Sequence, residues 1–133
     1  MAARLNFMAL DRADVQYAVK EACRSMAKPT EGAWRRLKRL VRYVAKYPRV
    51  TVLYKWQQLP TRLVVFGGSD WAGCKATCKP TGGGVMMFGE HCLRSWSSTQ
   101  SVVSQSSAEA EYYASRKAAS VGLGMRSLSL IHI

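Results

Sequence analysis

One junction constrains this chain more than any other feature. Residues 95–114, S-W-S-S-T-Q-S-V-V-S-Q-S-S-A-E-A-E-Y-Y-A, pass from a strand-like stretch into a helix whose start is written in the sequence. Ser106, Ser107, Ala108 and Glu109 form an S-x-x-E capping box, in which Ser106 accepts from the Glu109 amide and the Glu109 carboxylate reaches back to the cap. Glu109 therefore has a structural role. Glu111 lies two residues further, about 200° round the helix, on a face shared with Ala108, Ala114, Ser115 and Ala118. Side chains that small let a helix lie close to a sheet. A carboxylate on that face is expected at the sheet surface, where it can serve as a metal ligand or general base.

Upstream of this junction the pattern divides at Pro48. Residues 11–27 carry Val15, Ala18, Val19, Ala22, Cys23 and Met26 at helical spacing, with Asp11 or Asp14 as cap and Pro29 beyond the end. A second helix, 31–46, opens after Thr30 and turns Trp34, Leu37, Leu40, Val41 and Val44 inward. Its outer face carries Arg35, Arg36, Lys38, Arg39, Arg42 and Lys46, with Glu31 as the only acid. So one-sided a run repels itself unless anions sit nearby, which points to contact with a phosphate backbone. After Pro48 the residues become β-branched and aromatic. Strands are expected over 50–56, 63–66, 85–88 and 92–96, joined by tight turns and mostly antiparallel. Trp34 and Trp56 read as core residues.

The whole chain agrees with that electrostatic reading: 20 Lys plus Arg against 8 Asp plus Glu give +12, a balance that favours a polyanionic partner. No apolar run is long enough for a membrane span, and residues 1–11 lack the order of a secretion signal, so no membrane partner and an intracellular, unsecreted protein are expected. Four cysteines, Cys23, Cys74, Cys78 and Cys92, are too thinly spread for a disulfide framework. A zinc site from Cys74, Cys78, His91 and Cys92 is disfavoured, because adjacent His91 and Cys92 rarely ligate one ion together.

At S-D-W-A-G-C (69–74), S-W-S-S-T-Q (95–100) and S-S-A-E-A-E-Y-Y-A (106–114), the chain resembles the ribonuclease H domain of copia-type LTR retrotransposon polyproteins. L-N-F-M-A-L-D-R-A-D-V-Q-Y-A (5–18), M-A-K-P-T-E (26–31) and L-K-R-L-V-R-Y-V (37–44) are similar to the end of the preceding reverse transcriptase, through its thumb or connection helices. The resemblance implies an α/β (α+β) fold: a truncated ribonuclease H-like mixed sheet with a following helix, preceded by two amphipathic helices. It divides the chain into a reverse transcriptase segment at 1–48 and a partial ribonuclease H-like domain at 49–127. Residues 128–133, L-S-L-I-H-I, read as a translated sequencing adapter. The implied activity is cleavage of the RNA strand of an RNA–DNA hybrid by two Mg²⁺ ions held on acidic residues, and the implied partners are that hybrid and the remainder of the polyprotein.

Residue by residue, the resemblance makes Glu111 of E-Y-Y-A a catalytic and metal-ligating residue, with Asp70 as its companion. The family's D-x-D-W-A-G segment is here Gly68, Ser69, Asp70, Trp71, Ala72, Gly73, so Gly68 stands where the first aspartate is expected. Asp70 shares its strand parity but is displaced by about 6.6 Å, two residues of rise. No aspartate follows Asp70. The expectation is therefore an incomplete Mg²⁺ site and little or no hydrolysis; the alternative is a non-catalytic, basic nucleic-acid-binding module.

Overall fold

Upstream of Pro48 the chain forms three helices, α1 Ala2–Met8, α2 Gln16–Arg24 and α3 Glu31–Lys46, of which the spacing signalled the last two. The structure, a computed structural model, describes residues 1–74 and 77–131 and divides into two compact units, Met1–Leu53 and the chain from Tyr54 onward. In the first unit Leu5, Ala9, Val15, Val19 and Leu40 form the buried core, with Leu37, Val41, Val44, Ala22 and Cys23 packed around it. Thr30 caps α3 as expected, its hydroxyl accepting from Ala33 N at 3.2 Å.

Three local readings are corrected here. Helix α2 is shorter than 11–27 and has no side-chain cap, because the Asp14 carboxylate is taken by Arg12 and Tyr43. Met26, beyond the end of α2, stays exposed, and so does Ala18 within it. Helix α1 was not signalled by periodicity; it is one short turn pair that buries Ala2 and Leu5. Trp34 is 50% exposed rather than inward, since it sits about 90° from the centre of the Ala33, Leu37, Leu40, Val44 stripe.

Buried Arg12 ties this unit together. Its guanidinium grips Asp14 with two bonds, at 2.9 and 2.8 Å, and donates to the carbonyls of Tyr47 at 3.1 Å and Pro48 at 3.4 Å beyond the end of α3. Bidentate pairing of this kind fixes direction as well as distance.

The second unit is a three-stranded antiparallel sheet in the order β1 (Leu63–Ser69), β2 (Thr81–Phe88), β3 (His91–Thr99), followed by α4 (Ser107–Ile131). Among the described residues every strand pairing is antiparallel, so the mixed sheet implied by the resemblance is not what forms here. The β2–β3 turn requires Gly89 at φ +60, where a Cβ would also come within 2.4 Å of Gln57 Oε1. Residues 50–56 form no strand. Side chains at the end of this segment bond to the sheet instead: Tyr54 OH donates to Cys92 O at 3.2 Å, and Gln57 Nε2 to Phe88 O at 2.9 Å. Without a sheet face to cover them, Leu53 and Trp56 stay 72% and 88% exposed, contrary to the core role expected of Trp56.

Helix α4 lies on the sheet through Ala110, Ala114 and Ala118, all buried at four-residue spacing. The fit is close: a Cβ on Gly67 would stand 2.8 Å from Ala118 Cβ and 3.3 Å from the Ala114 carbonyl. The packed stripe is thus rotated slightly from the expected one, leaving Ala108 and Ser115 exposed. Residues 128–131 continue α4; His132 and Ile133, the rest of the segment read as an adapter scar, lie outside the described residues.

Candidate functional site

The site gathers where β1 ends and α4 begins. Ser106 caps α4 by accepting from Glu109 N at 3.2 Å, and the Glu109 carboxylate turns back to accept from Gln105 N at 2.7 Å, one residue before the cap. With Glu109 so engaged, Glu111 is the carboxylate directed at the sheet. Its Oε1 accepts from Ser69 N at 3.1 Å, and its Oε2 would lie 3.9 Å from a Cβ on Gly68. The residue remains exposed, held at the sheet margin rather than beneath the helix.

Asp70 is placed differently. Its amide donates to Thr81 O at 3.1 Å, and its carboxylate accepts from Thr81 N and folds over Gly73, where a Cβ would meet Asp70 Oδ2 at 2.0 Å. Asp70 thus closes the link between β1 and β2. Glu111 and Asp70 flank Ser69 in the fold, but their carboxylates serve different backbone groups. Mg²⁺ asks for several convergent oxygen ligands, and this donor set does not fit two such ions: Glu111 faces a glycine and Asp70 is spent on Thr81. Among the described residues no group of three or more His, Cys, Asp and Glu side chains converges on a metal position.

Gln100, the last residue of S-W-S-S-T-Q, was not singled out by sequence reasoning and is the hub of the site. Its Nε2 donates to Ser69 Oγ at 3.0 Å and to Ala110 O at 2.9 Å, and its backbone N–H donates to Pro80 O at 2.8 Å. One side chain thereby joins β1, β3 and the first turn of α4. Its position at the end of a strand-terminal motif was the available signal. Trp71 stands beside it, 57% exposed, with Nε1 donating to the carbonyl of buried Ser104 at 3.2 Å.

The Cys74, Cys78, His91, Cys92 set is not one site. Cys74 is buried and Cys78 exposed at φ +52, while His91 uses both ring nitrogens on the protein. Its Nε2 lies 2.7 Å from Lys55 O and must donate, so Nδ1 is the acceptor facing Gln57 Nε2 at 3.1 Å.

The cationic residues of α3 form a separate surface in the first unit. Arg35, Arg36, Lys38, Arg39, Arg42 and Lys46 are all exposed. Arg35 pairs with Glu31 at 2.6 Å, and Lys38 and Lys46 rest over the rings of Trp34 and Tyr47. Arg36, Arg39 and Arg42 form no ion pair among the described residues.

No family model matches the chain, and no solved structure matches it. Curated relatives do. The chain is 39% identical over 111 residues, 83% of its length, to the uncharacterized mitochondrial protein AtMg00810 of Arabidopsis thaliana, covering 45% of that protein. It is 38% identical over 109 residues to the retrovirus-related Pol polyprotein from transposon RE1 and 37% identical over 109 residues to that from transposon RE2, both of Arabidopsis thaliana. Each of these matches takes 81% of this chain and 7% of the polyprotein. The chain thus spans less than half of each relative. No helix among the described residues is long and apolar enough to cross a membrane. Identity at this level over four-fifths of the chain, with the three motifs in order, makes it a relative of the copia-type retrotransposon Pol polyproteins.

Proposed function

We propose that this chain is a ribonuclease H-like portion of a Pol polyprotein, together with the end of the reverse transcriptase before it, and that it holds nucleic acid without hydrolysing it. The observation that carries this reading is the Glu111 carboxylate, brought to the end of β1 beside Gly68, where a second acid is needed and none stands. A lone carboxylate does not assemble the paired Mg²⁺ ions of the implied chemistry, so none of that chemistry is assigned to this polypeptide. What remains is grip. The exposed guanidinium groups of Arg36, Arg39 and Arg42 suit backbone phosphates, and recognition through A-form shape needs no base contacts. The partners are an RNA–DNA hybrid or another nucleic acid and the rest of the polyprotein, inside the cell.

The test is incubation of the chain with a labelled RNA–DNA hybrid and Mg²⁺, beside a binding titration at several salt concentrations. We expect binding that weakens steeply with salt and no cleavage. Hybrid cleavage that disappears in Glu111→Gln would overturn the loss of hydrolysis, and affinity unchanged across salt would overturn the electrostatic grip.

A further inference from the structure

We propose that the cleft between the end of β3 and the middle of α4 is a binding site for a phosphate-class oxyanion. The cleft encloses about 390 Å³, with Ser98, Thr99 and Ser101 on the strand side and Arg116, Lys117 and Ser120 on the helix side. No aspartate or glutamate lines it. Lys117 Nζ donates to Ser98 Oγ, which fixes the ammonium against the strand. Arg94 shares strand parity with Ser98 and adds a second positive charge close enough to act on Lys117. The Lys117 pKa is pushed below its ordinary value, first by burial and then by Arg94. Among the described residues none of Arg94, Arg116 and Lys117 has an acidic partner.

Like charges drawn together and partly stripped of water are unfavourable until an anion joins them. The cleft supplies an ammonium, a guanidinium and hydroxyl donors with no competing carboxylate, which is the donor set an oxyanion accepts best. The site is separate from Glu111. Lys117 is six positions on from Glu111 along α4, about 120° apart in helix rotation, so the two occupy opposite flanks of the Ala110, Ala114, Ala118 stripe.

Such an oxyanion has two sources: a free phosphate ion, or a phosphodiester of a nucleic-acid strand. The second rests on the nucleic-acid reading proposed above; the first does not. The experiment is therefore a titration of the 133-residue chain with inorganic phosphate at constant ionic strength, read by amide NMR shifts of Ser98, Thr99 and Lys117. We expect saturable shifts confined to these positions and their neighbours. Lys117→Gln weakens phosphate binding about tenfold or more, the loss of one charge-assisted hydrogen bond, and Lys117→Arg retains it. Lys117 is only partly desolvated and keeps much of its side chain in solvent, so its substitution does not unfold the chain; a Ser98→Ala variant, which frees the ammonium from its anchor, also weakens binding. Shifts that never saturate, that spread evenly over all basic residues, or that persist unchanged in Lys117→Gln overturn the site. Addition of an RNA–DNA hybrid then assigns the source: displacement of phosphate marks the strand backbone, and undisturbed phosphate beside bound hybrid marks a free ion. An Arg36, Arg39, Arg42 triple alanine variant that loses hybrid but keeps phosphate separates this cleft from the α3 surface.

Discussion

Glu111 and Gly68 face each other across the join of α4 and β1, with Glu111 Oε2 3.9 Å from where a Gly68 Cβ would stand. That gap is ordinary contact distance. A Cβ at position 68 therefore fits without displacing the helix, and Gly68→Asp brings a second carboxylate to the side of the first. We expect this variant to acquire saturable Mg²⁺ binding in calorimetry at millimolar metal, where the parent shows none, and the Gly68→Asp, Glu111→Gln double variant to lose it. Equal binding by both variants would remove Glu111 from the site.

The adjacent glycine behaves in the opposite way. Gly67 is pressed against Ala118 and Ala114, so Gly67→Ala forces α4 off the sheet and costs about 1–3 kcal/mol in urea unfolding. Gly124, with nothing within 4 Å of its would-be Cβ, is the control: Gly124→Ala stabilises α4 by about 0.5–1 kcal/mol. Equal effects at the two positions would mean that helix–sheet contact at Gly67 does not limit packing.

Gln100→Ala leaves Ser69 Oγ and the Ala110 carbonyl without their shared donor. The expected loss is about 1–3 kcal/mol, with amide exchange quickened at Ser69 and in the first turn of α4. A stable variant with unchanged exchange there would show that Gln100 does not hold the site together.

Acid should loosen the first unit. The hydrogen-bonded Arg12 guanidinium holds the Asp14 carboxyl below its ordinary 3.8, against the opposing effect of burial. A carboxyl depressed in the folded state contributes stability above its unfolded pKa, and that contribution is lost as pH falls through the folded value. Thermal melts between about pH 5 and pH 2 will show a declining midpoint, and Asp14→Asn will flatten part of the decline. The remainder includes Glu21: burial pushes its pKa up, but hydrogen bonds from Lys20 and Arg24 outweigh this and lower it.

Much of this architecture was legible because local chemistry and fold agree. The Thr30 cap, the α3 stripe through Leu37, Leu40, Val41 and Val44, the Ser106 cap and the places of Ala114 and Ala118 on the packed face of α4 follow from spacing. The failures share a different cause. Trp56 and residues 50–56 have strand composition, yet a strand needs a neighbour to pair with, and side-chain bonds from Tyr54 and Gln57 hold that segment instead. Asp14 has the right chemistry for a helix cap, but Arg12 and Tyr43 compete for its oxygens. Gln100 was hidden because its partners, Ser69, Pro80 and Ala110, are brought to it only by the fold.

The bond from Ser69 N–H to Glu111 has a meaning apart from any metal. Asp70 N donates towards β2, so the neighbouring Ser69 N–H points to the other side of β1, the side that has no strand among the described residues. An exposed row of such donors invites another chain to zip on, and proteins discourage this with charge at the rim. Glu111 occupies the last donor of that row and puts a negative charge beside it. A strand joining β1 from outside must first evict the carboxylate, so Glu111 acts as a stopper against self-association along this edge.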